Sequence, residues 1–254
     1  MVRPKKSLGQ HFLTDQHIAQ KIVDSLSDDS KNVIEIGPGK GVLSQYLLQN
    51  KNLNTKYIEF DQESVAYLKV TFPEISEDII LGDFLKLDLK SLFGVEKFRI
   101  IGNFPYNISS QIFFKTLDYK NQIDEVVGMI QKEVAERLAS PPGSKQYGIL
   151  SVLLQAYYKI EYLFTVKEGV FFPPPKVKSA VIRLKRNQVD SLGCNDSDFK
   201  AIVKTAFNQR RKTLRNALKS FEFELTEIVS ELLNKRAEQL SVAEFVILTK
   251  AVKR

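Results

Sequence analysis

Short runs of apolar residues alternate with segments of helical periodicity along most of the chain, and this alternation constrains the fold more than any other feature. The strand-like runs occupy residues 33–36, 57–60, 79–81, 98–102 and 125–130. The stretches between them place apolar residues three and four positions apart, as amphipathic helices do. Strands separated by crossover helices pair in parallel, so the pattern predicts an α/β fold with a mostly parallel sheet.

The pattern changes close to residue 187. Residues 177–185 are expected to form a last strand, and residues 187–198 are rich in Asn, Asp, Ser and Gly, which favour loops. Beyond this loop only helical periodicity remains. The sequence therefore predicts two domains, with the sheet in residues 1–187 and a small all-helical domain in residues 188–254.

The composition restricts the class of protein further. The chain of 254 residues carries 37 Lys and Arg against 30 Asp and Glu, a formal charge of +7 that hints at an anionic partner. Cys194 is the single cysteine, which excludes a disulfide scaffold and a Cys-based zinc site and favours a reducing compartment. The sequence contains no apolar run of about 18 residues, so no membrane span is expected. We expect a cytoplasmic monomer without a metal.

A glycine-rich loop follows the first predicted strand. Gly37, Gly39 and Gly41 stand where glycines let the backbone approach a ligand closely. Val42 breaks the dinucleotide pattern G-x-G-x-x-G, and the phosphate-binding P-loop pattern is absent from the sequence. The loop therefore favours a nucleoside cofactor without phosphates. A tight turn that binds nothing is the alternative interpretation.

Acidic residues follow each of the next two predicted strands. Glu59 ends the second strand, about 20 residues beyond the loop, where a carboxylate accepts hydrogen bonds from ribose hydroxyls. Asp83 follows the third strand, where it is placed to meet an adenine amino group. These carboxylates, together with a loop unsuited to pyrophosphate, predict S-adenosylmethionine as the cofactor. Solvated carboxylates are the alternative.

The segment Asn103-Phe104-Pro105-Tyr106 follows the fourth predicted strand, at the same edge of the sheet. The amide oxygen of Asn103 and the carbonyl of Phe104 are suited to accept hydrogen bonds from an exocyclic amine, which frees its lone pair to attack a methyl group. Pro105 stiffens the turn, and Tyr106 offers a ring on which a base can stack. The segment predicts methyl transfer to an adenine amine, and a strand-ending turn with a core aromatic is the alternative.

Five motifs, in this order along the chain, resemble a known family. They are Gly-Gln-His-Phe-Leu at 9–13, Glu-Ile-Gly-Pro-Gly at 35–39, Asn-Phe-Pro-Tyr-Asn-Ile-Ser at 103–109, Phe-Phe-Pro-Pro-Pro-Lys-Val at 171–177 and Arg-Arg-Lys-Thr-Leu-Arg-Asn at 210–216. Together they are similar to the KsgA-type adenine N6,N6-dimethyltransferases of small-subunit ribosomal RNA, over essentially the whole chain. The resemblance implies a Rossmann-like methyltransferase sheet with a helical C-terminal domain and S-adenosylmethionine as the cofactor. It also implies transfer of two methyl groups to each of two adjacent adenosines near the 3′ end of 16S rRNA in the small ribosomal subunit.

The resemblance implies roles for individual residues. Tyr106 and Phe171 would sandwich the flipped adenine, and Phe171 is preferred over Phe172 because it holds the first position of its motif. Two positions depart from the family, since His11 replaces a common Asn and Phe104 replaces a common Leu. The residues implied to line the cofactor are His11, Leu13, Gly37, Glu59, Asp83 and Asn103, and the glycine-loop argument adds Gly39.

A basic segment spans the predicted boundary. Residues 185–219 contain nine Lys and Arg against three Asp. Arg211 and Arg215 are spaced to share one helix face, which suits a phosphate backbone. A solvated helix face is the alternative, but the local concentration of charge favours RNA contact. The predicted RNA-binding residues are Arg210, Arg211, Lys212 and Arg215, and a second basic cluster comprises Arg3, Lys5 and Lys6.

Three other functions stay open on the sequence. A large-subunit rRNA methyltransferase that confers antibiotic resistance would share the fold, although the motif at 210–216 favours the small-subunit group. A DNA adenine methyltransferase usually has an acid where Asn103 stands. A non-catalytic assembly factor would keep the fold, but Glu59 and the 103–106 segment argue against lost catalysis.

Overall fold

The computed structural model describes residues 2–5, 8–27 and 29–253. In these residues the strands are β1 (Phe12–Leu13), β2 (Asn32–Ile36), β3 (Asn54–Glu59), β4 (Ile79–Leu81), β5 (Phe98–Asn103), β6 (Ile123–Gln131), β7 (Tyr158–Val166), β8 (Phe171–Phe172) and β9 (Ser179–Arg186). The α-helices of the same residues are α1 (Gln16–Val23), α2 (Ser44–Leu47), α3 (Gln62–Thr71), α4 (Lys90–Phe93), α5 (Ser109–Asp118), α6 (Lys132–Ala139), α7 (Ile149–Gln155), α8 (Asp196–Asn208), α9 (Leu214–Ala217), α10 (Glu227–Asn234) and α11 (Val242–Lys250). Short 3-10 helices cover Pro73–Asp78, Glu168–Val170 and Ala237–Gln239.

The main sheet of the described residues has seven strands in the order β4-β3-β2-β5-β6-β9-β7. The strands from β4 to β6 in this order pair in parallel, whereas β9 runs antiparallel to β6. All five residues of β2 are buried, as expected for a central strand of a parallel sheet. The predicted α/β fold with a mostly parallel sheet is confirmed.

The parallel strands end along one edge of the sheet. The loop after β2 contains the glycines, and β3 ends with Glu59. Asp83 comes two residues after β4, and Asn103 is the last residue of β5. Because the carboxyl ends of neighbouring parallel strands lie side by side, groups that are distant in sequence meet at this edge.

Two strand pairings are not predicted by the sequence pattern. Strands β1 and β8 form a separate antiparallel pair, in which Phe12 opposes Phe172 and Leu13 opposes Phe171. Each of these strands has two residues, which is too short to show a period. Strand β7 is mostly half-buried beside β9 at the sheet edge, so it lacks the continuous apolar run of the central strands.

The chain divides into two compact units at positions that differ from the predicted boundary. One unit contains the described residues of 1–135 and 160–186, and the other contains those of 136–159 and 187–254. The change at 186–187 lies one residue before the predicted boundary at 187–188. Residues 136–159, which the sequence assigns to the sheet domain, instead cluster with the C-terminal helices, because α7 packs against α8 and α11.

Aromatic packing and capping stabilise the second unit. The ring of Phe207 stacks on Phe245 at a centroid distance of 6.0 Å and meets Tyr147 edge-on at 6.2 Å. Helix α11 begins with a capping box, in which the Ser241 hydroxyl accepts the Glu244 amide and the Glu244 carboxylate accepts the Ser241 amide. Among the described helices of the chain, none combines the length and the apolar character needed to cross a membrane.

In the first unit the ring of Phe104 lies against the backbone of two strands. A Cβ atom on Gly102 would lie 2.9 Å from this ring, and a Cβ atom on Gly128 would lie 2.5 Å from it. The ring is buried and meets Phe113 edge-on at 6.1 Å. Only glycine at these two strand positions allows the ring to reach the sheet, and the ring in turn holds the segment that follows β5.

We therefore expect Gly128→Ala to lower the free energy of unfolding by about 1–3 kcal/mol, because the trapped Phe104 ring has no room to move away. Gly169→Ala is the matched control, since a Cβ atom there meets no atom within 4 Å. That control should stay within about 0.5 kcal/mol of the unmodified protein. Urea denaturation measures both values, and equal stability of the two variants would show that the ring is not confined.

Candidate active site

A cavity of about 260 Å³ lies at the carboxyl edge of the sheet in the first unit. Its walls come from the loops after β2, β3, β4 and β5 and from residues 8–12 of the N-terminal segment. Nine of the residues that the sequence singles out line it: His11, Gly37, Gly39, Glu59, Asp83, Asn103, Phe104, Pro105 and Tyr106. The topology thus gathers the predicted cofactor residues other than Leu13, together with the 103–106 segment, around a single space.

The glycine loop forms one wall of this cavity. Gly37 has a φ of 65°, and its N–H donates to the Ile58 carbonyl at 2.9 Å. A Cβ atom at Gly37 would meet no atom within 4 Å, so open space lies in front of this residue. Gly39 has a φ of 57°, and a Cβ atom there would lie 2.9 Å from the ring of Phe12. The positive φ therefore favours glycine at both positions. At Gly39 the Phe12 ring also leaves no space for a side chain.

Glu59 is buried next to the glycine loop. Its two carboxylate oxygens accept backbone hydrogen bonds, from Gly39 at 2.9 Å and from Asp61 at 2.8 Å. Burial raises the pKa of Glu59, and these backbone donors oppose that effect. A carboxylate has about four acceptor positions, so this group can accept further hydrogen bonds from a ligand in the cavity that it lines.

The loop after β4 is fastened to helix α5 by a lysine that the sequence reasoning missed. Asp83 Oδ1 accepts the Leu85 amide at 2.9 Å, which orients the carboxylate within its own loop. The largely buried Lys115 donates from Nζ to the Leu85 carbonyl at 3.1 Å and to the Leu87 carbonyl. Its Nζ also lies 5.3 Å from the centre of the Phe84 ring. Burial lowers the pKa of Lys115, and nearby carboxylates oppose that effect.

Asn103 has a fixed orientation at the end of β5. Its Nδ2 atom donates to the backbone carbonyl of His11 at 2.8 Å. The donor side of the amide is therefore turned to the N-terminal segment, and Oδ1 remains as its acceptor. Phe104 follows, and its N–H donates to the Met129 carbonyl at 3.0 Å. Its side chain belongs to the core, so only its backbone is available to a ligand.

Tyr106 is held at both its hydroxyl and its ring. The hydroxyl lies 2.5 Å from the Ser179 hydroxyl oxygen. The ring stacks on His11 with centroids 5.5 Å apart and planes inclined by 28°. Burial raises the pKa of the Tyr106 phenol, the Ser179 hydrogen bond opposes this effect, and the charge of Glu168 adds to it. Tyr106 therefore presents a neutral, oriented ring at the cavity.

Two predicted residues lie away from this cavity. Leu13 and Phe171 oppose each other across β1 and β8, and each is only 4% exposed. Leu13 borders a neighbouring small cavity of about 30 Å³, which Gly37 and Asn103 also line. Phe171 is part of the hydrophobic core, and the ring stacked on Tyr106 is His11 instead. Phe171 is therefore buried beside β1, and its role in a sandwich of the flipped adenine with Tyr106 stays a prediction.

Other cavity residues were missed by the sequence reasoning although a signal was present. Phe60 and Phe84 each follow a predicted cofactor acid directly, and both line the cavity. The Phe60 side chain is exposed, which is unusual for an aromatic ring. Their position next to the acids at the sheet edge is the signal that could have identified them.

Glu35, the last-but-one residue of β2, is a buried carboxyl below the glycine loop. Ser44 Oγ donates to its Oε2 at 2.7 Å, and the small cavity beside Leu13 and Gly37 borders it. Burial raises the pKa of Glu35 to about 8, the Ser44 hydrogen bond lowers it, and the charge of Glu59 raises it further. At neutral pH this carboxyl is therefore mostly protonated.

The predicted RNA-binding residues lie in the second unit and differ in their surroundings. Arg210 donates from Nη2 to the Lys145 carbonyl at 2.5 Å, so its guanidinium serves to hold the chain locally. Arg211 and Lys212 are exposed in the turn between α8 and α9. Arg215 is exposed on α9 and makes long hydrogen bonds, at 3.4–3.5 Å, to Asn234 Oδ1.

Arg211 and Arg215 do not share one helix face, contrary to the prediction. Helix α8 ends at Asn208 and α9 begins at Leu214, so the two arginines belong to different elements. The Leu214 N–H donates to the Lys235 carbonyl at 2.8 Å, and Thr213 is extended with a ψ of 155°. This tertiary hydrogen bond replaces a helical one and separates the helices.

The basic cluster at the N-terminus is partly neutralised. Lys5 Nζ lies 2.5 Å from Asp61 Oδ1 and 3.2 Å from Glu63 Oε1. Arg3 is exposed, and Lys6 lies outside the described residues. Among the described residues there is also no group of three or more His, Cys, Asp or Glu side chains arranged to hold a metal ion.

The sequence profile of one family, the ribosomal RNA adenine dimethylases, matches residues 1–253. The chain belongs to this family. A ribosomal RNA small subunit methyltransferase A from Cytophaga hutchinsonii is 60% identical over 250 residues, covering 98% of this chain and 96% of the relative. The protein of the same name from Phocaeicola vulgatus is 58% identical over 254 residues, covering 99% of this chain and 90% of the relative.

Solved structures share the fold of this dimethylase. A dimethyladenosine transferase from Plasmodium falciparum superposes with a TM-score of 0.78 at 23% identity, covering 95% of this chain and 99% of that one. The 23S rRNA methyltransferase ErmE superposes with a TM-score of 0.67 at 22% identity, covering 94% and 99%. The Rossmann-like methyltransferase fold predicted from the sequence is thereby confirmed, with S-adenosylmethionine as the cofactor of the family.

The residues around the cavity fit that cofactor. The open space in front of Gly37 admits a ligand next to the backbone, and Glu59 keeps acceptor positions for hydroxyl groups. The half-exposed Asp83 and the exposed ring of Phe60 supply a further acceptor and an apolar face. An adenosine moiety has hydroxyl groups, an amine and a flat ring. The acceptors and the apolar face of the cavity are therefore complementary to it.

For this dimethylase we expect Lys115→Met to raise the KM for S-adenosylmethionine about tenfold with little change in kcat, because the loop carrying Asp83 loses two charge-assisted hydrogen bonds. Lys90→Met is the matched control, since Lys90 is exposed at the start of α4, which follows the same loop. Steady-state kinetics at varied cofactor concentration separate the two constants. A lowered kcat with an unchanged KM would contradict the proposed loop anchoring.

The buried Glu35 carboxyl predicts a specific pH dependence of stability. Its pKa in the folded protein, about 8, lies above the unfolded value, so the folded state binds more protons between these two values. The free energy of unfolding should therefore fall with rising pH, relative to Glu35→Gln, from about pH 5 to about pH 8, and then level off. Urea denaturation across this range measures the difference between the two proteins. A difference independent of pH would show that Glu35 titrates normally.

Proposed function

We propose that this dimethylase transfers methyl groups from S-adenosylmethionine to N6 of two adjacent adenosines near the 3′ end of small-subunit 16S rRNA. The product is N6,N6-dimethyladenosine, formed by two transfers at each base. Relatives at 55–60% identity named ribosomal RNA small subunit methyltransferase A support this substrate, since they match over nearly the whole chain. The small ribosomal subunit is accordingly the proposed partner, and a monomer acting in the cytoplasm is the proposed working form.

The fixed amide of Asn103 is the observation that carries the proposal. Because its Nδ2 atom donates to the His11 carbonyl, Oδ1 is available at the cavity as an acceptor for one N–H of the target amine. The Phe104 carbonyl is the second acceptor, held by the hydrogen bond from its own N–H to Met129. Two acceptors on one amino group favour a pyramidal nitrogen, whose lone pair is then free to attack.

The cofactor, when bound, supplies an electrophilic methyl group. The chain positions the amine for in-line approach to that group, and Tyr106 provides the ring against which the flipped adenine stacks. One face of Tyr106 is covered by His11, so the base is received on the remaining face. Glu59 and Asp83 are proposed to hold the ribose and adenine of the cofactor, and Gly37 and Gly39 to admit it close to the backbone.

The helical unit is proposed to contact rRNA through Arg211, Lys212 and Arg215. These side chains are exposed and clustered around the start of α9. Exposed Lys and Arg bind phosphates in a salt-dependent manner. Arg210 is left out of this group because its guanidinium is engaged with the Lys145 carbonyl.

A large-subunit substrate is less well supported. The similarity to ErmE lies at 22% identity and concerns the fold. A non-catalytic assembly factor would not need an oriented Asn103 amide or a Tyr106 ring that lines the cavity. Methyl transfer to the small subunit is therefore the function that the site supports best.

The test is methyl incorporation from labelled S-adenosylmethionine into immature small subunits, with large subunits and duplex DNA in parallel. We expect dimethyladenosine in the small subunit alone, and a loss of kcat of about 100-fold or more in Asn103→Ala. Asn52→Ala, at an exposed loop position, should retain full activity. Methylation of large subunits instead would reassign the substrate, and binding without any methylation would leave a non-catalytic factor.

A further inference from the structure

The segment of residues 172–178, which joins β8 to β9, projects several side chains into solvent beside the active site. Its exposed residues are Phe172, Pro174, Lys176, Val177 and Lys178. None of these residues has a role in the site described above. We call residues 172–178 the rim segment.

The rim segment is fastened to the residues that receive the target base. The Pro173 carbonyl accepts a hydrogen bond from Nδ1 of His11 at 2.8 Å. At the other end, Ser179 directly follows the segment and lies 2.5 Å from the Tyr106 hydroxyl. The Lys178 carbonyl also accepts the Lys132 N–H at 2.9 Å. Consecutive prolines at 173–175 restrict the backbone further, so the segment is a preformed surface next to the His11–Tyr106 stack.

Strand register determines which aromatic side chain this surface presents. Phe12 and Phe172 oppose each other in the β1–β8 pair, so their side chains share one face, and Phe12 lines the cofactor cavity. Leu13 and Phe171 take the opposite face and are buried. The Phe172 ring is 60% exposed. It therefore stands on the cavity side of the pair with its ring open to solvent.

The charge of the rim segment identifies the kind of partner. Lys176 and Lys178 are exposed, and residues 169–179 contain no acid. A single exposed Phe is common on protein surfaces and needs no explanation. An exposed ring joined by lysines on a preformed segment is the combination that binds single-stranded nucleic acid, where rings stack on bases and cations contact phosphates.

We propose that the rim segment binds single-stranded rRNA next to the flipped adenosine, with Phe172 stacking on a neighbouring unpaired base and Lys176 and Lys178 contacting phosphates. The inference rests on the proposed function, because it requires an RNA substrate. Flipping one base into the cavity leaves its neighbours without their stacking partner, and an exposed ring next to the pocket replaces that partner. Phe172 thus favours a target adenosine in a single strand over one in a base-paired duplex.

The first test compares Phe172→Ser with Phe172→Tyr, which keeps the ring. Phe172→Ser should raise the KM for immature small subunits about fivefold or more, and Phe172→Tyr should stay near the unmodified value. The kcat and the KM for S-adenosylmethionine should change in neither variant. Val70→Ser, which alters an exposed apolar residue on α3, is the control and should change none of these constants. Thermal denaturation verifies that all four proteins are equally folded.

The second test addresses the two lysines. The double variant Lys176→Gln, Lys178→Gln should weaken binding of a single-stranded RNA oligonucleotide with two adjacent adenosines. The slope of log K against log salt concentration should become shallower by about 1.4, because each of two lost phosphate contacts to a single strand contributes about 0.7. Lys90→Gln, at an exposed lysine outside the rim segment, should leave the slope unchanged.

Several results would overturn the proposal. An unchanged KM for subunits in Phe172→Ser would exclude stacking, and a raised KM for S-adenosylmethionine would show that Phe172 only supports the cofactor wall through Phe12. Weaker binding to subunits with unchanged binding to the oligonucleotide would assign the rim segment to a ribosomal protein. If the unmodified protein binds the oligonucleotide but methylates no RNA, the proposed function fails, while the binding comparison still decides the role of the rim segment.

Discussion

The hydrogen bond from Asn103 Nδ2 to the His11 carbonyl is the interaction on which the site depends. It joins residues 92 positions apart, one at the end of β5 and one in the N-terminal segment. Without it the amide would be free to rotate, and the N-terminal segment would lose one of its connections to the sheet edge. The same His11 bonds to Pro173 and stacks on Tyr106, so one short segment sets the positions of the acceptor, the stacking ring and the rim segment.

Burial raises the pKa of two carboxyls at the same edge, and hydrogen-bond donors oppose that effect at each. Glu59 accepts backbone N–H groups from Gly39 and Asp61, which oppose the effect of burial on its pKa. Glu35 accepts the Ser44 hydroxyl, and burial raises its pKa to about 8. Amide donors stabilise a carboxylate more effectively than a single hydroxyl does. The edge therefore combines an acceptor for a ligand with an acid that stays mostly protonated beneath the glycine loop at neutral pH.

The central strands and the site edge could be predicted from the sequence because their signals are local. An apolar run such as residues 33–36 identifies a buried strand, and the parallel arrangement then dictates where Glu59 and Asn103 must meet. Lys115 and the grouping of residues 136–159 could not be predicted. Their roles arise from tertiary contacts, with loop carbonyls in one case and the faces of α8 and α11 in the other, and no spacing in the sequence encodes such contacts.

The adjacent residues Phe171 and Phe172 show that the position of a residue in a motif does not reveal whether its side chain is buried or exposed. Side chains alternate between the two faces of a strand, so a pairing shifted by one residue would exchange the buried and the exposed ring. The register that places Leu13 opposite Phe171 puts Phe171 into the core and leaves Phe172 outside. That register is a long-range property of β1 and β8, each of two residues. A motif can thus identify the segment that we propose to bind RNA, whereas the fold alone decides which of its rings is presented.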